Sequence, residues 1–243
     1  MGDNGPIRDV ALHLIGAAQG NDVAHVFTLN YDALLDSALL HFYQDDDGRP
    51  RSESGFTLVD DAQGNRITQM LITGQTVRAL GWREDPYGGV ATVRLYHLHG
   101  AASWVRDRAS GAVMKVRHLQ HLRDHNLWGK WSAGQETHLE PVVVLGDRKD
   151  RLITRAPFDT QYAYLQAAAI QSEEIVIAGY GFGDAPLNAA VRASLSPTAR
   201  VWVIDPDAGV EARAREALGM ATGARIGQLT FIHAGLPDGL SAV

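Results

Sequence analysis

From residue 141 onward the chain alternates short apolar runs with longer amphipathic segments, and this alternation constrains the fold more than any other feature. Residues 141–145, 175–178, 200–204 and 229–233 read as buried strands. Residues 159–172, 185–195 and 210–218 between them carry helical periodicity. Strands joined by helices of that length need right-handed crossovers and pair mainly in parallel. The first residues continue the pattern. Ile7, Val10, Ala11, Leu14, Ile15 and Ala18 share one helical face that ends at Gly20-Asn21. Residues 24–29 read as a short strand, and Leu35, Ala38, Leu39 and Phe42 stripe a second helix. The expected class is α/β: an open, mainly parallel sheet with flanking helices.

Between residues 44 and 89 the character changes. Asp45-Asp46-Asp47-Gly48-Arg49-Pro50 is a solvated loop, and Gly55, Gly64-Asn65 and Gly74 punctuate runs at 56–59 and 67–72. Such punctuation marks hairpins or an irregular insertion after the first strand–helix unit. Strand character returns at 90–98, and 111–116 reads as another hairpin arm. The whole, 1–243, is expected to form one domain with 44–89 as a small subdomain.

Composition narrows the chemistry. The formal charge of −6 argues against a protein that binds nucleic acid with its whole surface. With no cysteine, the chain has no disulfide, thiolate metal site or cysteine nucleophile. Met1-Gly2-Asp3-Asn4-Gly5 lacks the basic and apolar regions of a signal peptide. No run approaches the roughly 18 apolar residues that span a bilayer. A cytoplasmic protein without membrane association is expected.

Polar side chains cluster where strands end, the place where an open α/β sheet presents its chemistry. Thr28, Asn30 and Asp32 close the first strand, and an amide there can donate to one ligand oxygen while accepting elsewhere. The same residues also suit a strand-to-helix turn with Asp32 as helix cap. His97 and His99 close a second strand beside Gly100. A strand-end histidine is a candidate general base, and equally a hydrogen-bonded core residue. Gly179-Tyr180-Gly181-Phe182-Gly183-Asp184 follows the 175–178 run. Its glycines permit a tight turn and a close backbone approach to a nucleotide, while Asp184 and Pro186 suit a helix start. Asp205, in Asp205-Pro206-Asp207, can accept from ribose hydroxyls or cap a turn. His118, His121 and His125 stand at helical spacing with Lys115, Arg117, Arg123 and Lys130 nearby. One straight helix seldom surrounds an ion, and the positive charge suits phosphate better than a cation, so no metal site is expected.

The order TLNYD, LHLHG, PVVVLGDRK with PFDTQYAYL, IVIAGYGFGDAPLN and VWVIDPD resembles the sirtuin-like domain family. Within it, the chain is most similar to the zinc-free bacterial branch associated with defence against phage. The resemblance runs from about Val23 to Asp207 and implies a Rossmann-like NAD-binding fold. It implies that Asn30 holds the nicotinamide ribose or a water and that His99 is the general base. Thr28, Asp32 and Gly100 would flank them, while Gly179 to Asp184, Asn188 and Asp205 would line the adenosine side. The implied reaction is hydrolysis of NAD to nicotinamide and ADP-ribose, without zinc and with a protein partner or a homo-oligomer as setting. One departure stands out. The family's opening strand and GAGxS-type phosphate loop have no counterpart in Met1 to Asn30, where Gly16-Ala17-Ala18-Gln19-Gly20 closes a helix. Either the chain starts downstream of that loop or the domain lacks it. In the second case a degenerate NAD or ADP-ribose sensor or scaffold is the alternative.

Overall fold

The structure is a computed structural model that describes residues 5–18, 23–31, 34–42, 52–53, 56–57, 59–60, 66–67, 69–72, 75–82, 93–116, 119–146, 149–220, 228–236 and 238–243. The chain begins with α1 (Gly5–Ala17), β1 (Ala24–Thr28) and α2 (Leu34–Phe42). A series of short strands follows: β2 (Ser52–Glu53), β3 (Phe56–Thr57), β4 (Val59–Asp60), β5 (Arg66–Ile67), β6 (Gln69–Ile72) and β7 (Gln75–Trp82). Next come β8 (Val93–His97), β9 (Gly100–Asp107), β10 (Val113–Val116), α3 (Leu119–Asp124), α4 (Leu127–Ser132), β11 (Leu139–Val143) and α5 (Lys149–Leu152). The last elements are α6 (Phe158–Gln171), β12 (Glu174–Ala178), α7 (Ala185–Ser194), β13 (Arg200–Ile204), α8 (Val210–Ala217) and β14 (Leu229–Ile232). Among the described residues no helix is long and apolar enough to cross a membrane.

Two compact units emerge from the contacts, one of residues 1–16 with 159–243 and one of residues 17–158. In the first, β12, β13 and β14 form a parallel sheet in that order, with Ile175 opposite Val201 and Val203 opposite Phe231. Helices α7 and α8 supply the crossovers. Val201 and Val203 of the central strand pack with Val210, Ala214, Leu218 and Leu229, so the β-branched strand and the helical stripe share one core. These elements follow the expected boundaries closely.

The second unit contains two kinds of sheet. Strands β1, β8 and β2 are parallel, with β8 in the centre. A second sheet runs β11-β9-β10-β7-β3 and is antiparallel throughout, with β6 also pairing β7. The α/β class with parallel sheets and flanking helices therefore holds, and the parallel pairing is divided between two three-stranded sheets. Two details differ from the sequence reading. The run at 141–145 begins two residues earlier, at Leu139, and pairs antiparallel with β9. The described parts of 44–89 are strands, as hairpin punctuation suggests, and β7 joins β10 rather than pairing only within the insertion.

Candidate functional site

Strands β1 and β8 run parallel in strict register from Ala24 opposite Val93 to Thr28 opposite His97. Their carboxyl ends therefore lie side by side, and the two strand-end motifs are neighbours. Leu98 N–H donates to the Thr28 carbonyl at 3.0 Å, which extends the pairing beyond both strands. Asn30 N–H turns back to Thr28 Oγ1 at 3.0 Å, so the Thr28 hydroxyl stabilises the strand exit. His97 Nδ1 lies 3.3 Å from the Asn30 carbonyl, and the acceptor oxygen makes that nitrogen the donor. The Asn30 residue itself is exposed.

The two histidines do not share one strand face. Strand β8 ends at His97, and Leu98-His99 forms a turn into β9, so the alternation expected of i and i+2 on a strand is broken there. His97 meets Trp104 edge-on with ring centroids 5.5 Å apart. His99 lies against Tyr31, at 6.4 Å between centroids, and is only 4% exposed. Backbone bonds fix the surroundings: Val144 N–H donates to the His99 carbonyl at 2.9 Å, and Ala102 N–H to the Tyr31 carbonyl at 2.7 Å. The Tyr31 hydroxyl donates to the Val144 carbonyl at 2.7 Å. Tyr31 thus joins the candidate site through its contacts, although its sequence position between Asn30 and Asp32 did not single it out. With Ala102, Trp128, Val143 and Leu145 it lines an apolar hollow of about 320 Å³. Gly100 adopts φ +80°, and a Cβ there would lie 2.0 Å from the Val142 carbonyl oxygen, so the close approach it permits is to backbone. Asp32 lies outside the described residues.

The other strand-end loops belong to the first unit. Gly179 turns with φ +61° after β12, its N–H donating to the Ile204 carbonyl at 2.9 Å. Phe182 adopts φ +59°, an uncommon conformation for a residue with a side chain, and its ring is buried beside Tyr180 at 4.8 Å. The Tyr180 hydroxyl donates to Asn188 Oδ1 at 2.8 Å and accepts from Asp184 N–H at 3.2 Å. Asn188 Nδ2 donates to the Phe182 carbonyl at 2.9 Å, which holds the loop in this shape. Burial pushes the Tyr180 phenol up to about 12, and burial with the Asp184 carboxylate raises Tyr162 further. Asp184 caps α7 by accepting from Leu187 N–H at 3.0 Å, with Pro186 in the first turn. A carboxylate in that position answers the helix dipole, so the N-terminus of α7 is poorly suited to a phosphate. Gly181 and Gly183 are exposed, and no atom would lie within 4 Å of a Cβ at either.

Asp205 accepts from Asp207 N–H at 2.8 Å in a tight turn after β13. Arg213 of α8 links the two loops: Nε donates to the Gly181 carbonyl at 3.2 Å and Nη2 to Asp207 Oδ2 at 2.7 Å. That hydrogen bond is the main cause holding the Asp207 carboxyl below its ordinary range. Nothing in its sequence pattern singled Arg213 out, because only the loop geometry gives its guanidinium two acceptors.

The basic stretch separates into unlike parts. Lys115 is buried and paired with the buried Asp36 of α2, so its charge is spent inside the molecule. His125 and Lys130 line a different hollow, while Arg117, His118 and the side chain of His121 lie outside the described residues. Among the described residues no group of three or more His, Asp or Glu side chains is arranged to hold a metal ion.

Comparison with known proteins adds the following. A family profile described as "SIR2-like domain" matches residues 24–225. No curated protein matches the chain. Among solved structures, a methyltransferase from Geobacter sulfurreducens is similar over 48% of this chain and 59% of its own, with 22% identity and a TM-score of 0.26. That likeness carries no argument about fold or activity.

Proposed function

Because the chain belongs to the SIR2-like domain family, matched over residues 24–225, we propose that it is an NAD glycohydrolase domain that splits NAD into nicotinamide and ADP-ribose. NAD-dependent chemistry is the family's general activity. The observation that carries the finer reading is the register of β1 and β8, which brings the Asn30 and His99 segments together at the carboxyl ends of parallel strands.

Hydrolysis breaks the bond between the ribose C1′ and the nicotinamide nitrogen, and nicotinamide leaves with both bonding electrons. Positive charge builds on the sugar, water adds at C1′, and one proton must be removed from that water. Asn30, exposed at the strand end, supplies an amide that orients the ribose hydroxyls or the water. His99 accepts the proton, and Tyr31 backs its ring. The apolar hollow beside Tyr31 and Trp128 has the lining that a flat, uncharged leaving ring favours. Thr28 braces the turn, and Gly100 admits the backbone crossing beside the base. Asp32 adds a carboxylate to the same motif. For the unit of residues 1–16 and 159–243 taken by itself, the family resemblance assigns adenosine binding to Gly179, Tyr180, Gly181, Phe182, Gly183, Asp184, Asn188 and Asp205.

The setting we infer is bacterial cytoplasm during phage infection, with zinc-independent NAD depletion as the output and a protein partner or a second copy as the assembly. The test is direct: nicotinamide release from NAD by the purified chain, alone and after phage challenge of cells that carry it. Absence of release in both settings, with folded protein present, contradicts the reading.

One observation favours a second reading. The Asp184 carboxylate already caps α7, which leaves that helix N-terminus poorly suited to the phosphates of NAD. A degenerate sensor or scaffold would then bind NAD or ADP-ribose without turnover. Saturable binding with no nicotinamide released distinguishes it.

A further inference from the structure

The hollow between α4 and the segment leading into β11 is separate from the residues assigned to NAD. It measures about 260 Å³ and is lined by His125, Lys130, Gln135, Glu136, Thr137 and His138 above Leu127. Leu127 belongs to the core around Val105, Leu122 and Leu139, so the floor of the hollow is fixed by packing. Its walls carry one ammonium and two imidazoles against a single carboxylate. Lys130 is half-buried, and among the described residues no carboxylate lies within ion-pair distance of it. A half-buried lysine outside ion-pair distance of any described carboxylate, facing a hollow beside two imidazoles and one exposed carboxylate, leaves room for an anion on the Lys130 side. The volume equals that of about nine liquid waters, more than one phosphate needs. Glu136 is exposed, and its carboxylate and the Gln135 amide can accept from hydroxyl groups of a ligand.

We propose that this hollow binds a small sugar phosphate: the phosphomonoester between Lys130, His125 and His138, and the sugar hydroxyls towards Gln135 and Glu136. Inorganic phosphate shares the anionic chemistry and is the other source. The site is independent of NAD turnover, since none of its residues is assigned to the Asn30–His99 region.

The test is titration of the whole chain with ribose 5-phosphate, inorganic phosphate and unphosphorylated ribose, followed through the imidazole resonances of His125 and His138. Saturable shifts with ribose 5-phosphate are expected, with weaker binding of phosphate and none of ribose. Lys130→Met should weaken ribose 5-phosphate binding roughly tenfold, the loss of one charge-assisted contact, while Lys130→Arg retains it. Equal binding of phosphate and ribose 5-phosphate would support the anion site and identify free phosphate as its ligand. No saturable shift with either phosphate overturns the proposal. So does binding that Lys130→Met leaves unchanged while circular dichroism shows the variant folded.

Discussion

A Cβ at Gly100 would sit 2.0 Å from the Val142 carbonyl oxygen, and the residue already holds φ +80°. The first demand cannot be met without moving β11 and the second strains any residue with a side chain, so Gly100→Ala should destabilise the chain by about 3 kcal/mol or more in urea unfolding. The glycine beside His99 was visible in the sequence, but its reason was not: the crowding comes from β11, about forty residues downstream by chain order. Asp184 is the opposite case. Its cap on Leu187 N–H was readable from Asp184-Ala185-Pro186, and Asp184→Ala should cost about 1 kcal/mol by the same measurement. Tyr31 was legible as a letter of its motif but not as the neighbour of His99, because its contact and its bond to Val144 both depend on tertiary pairing.

At the scale of elements, α2 and β10 are joined by the buried Asp36–Lys115 pair. Removing one partner leaves a buried charge without compensation, whereas replacing both by apolar residues does not. Lys115→Met alone should therefore cost about 3 kcal/mol, and the double variant Asp36→Leu with Lys115→Met should recover most of that loss. Chemical denaturation of the single and double variants checks it, and equal losses would rule the pair out as the cause. Periodicity located β1, β8, β12, β13 and β14 because their apolar side chains alternate with helices or end in turns. It missed β9, whose opening Gly-Ala-Ala-Ser has little intrinsic strand preference and is held by Val143 of β11 opposite Gly100 and by Ala102 N–H donating to the Tyr31 carbonyl. Lys115 was counted among the positive charges near His118, His121 and His125 for the same reason: its partner sits on another element.

For the molecule as a whole, His25 makes stability depend on pH. Burial, with the nearby Arg94 cation, holds its imidazole below the ordinary value of 6.5, and Nδ1 lies 2.8 Å from the Tyr96 hydroxyl. The unfolded chain therefore takes up the proton more readily, so this contribution is fully present above 6.5 and is lost as pH falls from there through the lower folded-state value. The thermal midpoint should drop on acidification below 6.5, and a His25→Gln variant should show a shallower drop; an unchanged slope would assign the effect elsewhere. The α/β class and the order of the motifs could be read from the chain, but the division of the parallel pairing between two sheets and the antiparallel layer could not. Strand partners at long sequence separation leave no local periodic trace. The most direct test of the function is nicotinamide release from NAD by the wild-type chain, Asn30→Ala and His99→Ala, with folding followed alongside. Release by the wild type that falls about a hundredfold or more in both folded variants is the expected result. Release that both substitutions leave intact, or NAD binding by the wild type with no release at all, would contradict it.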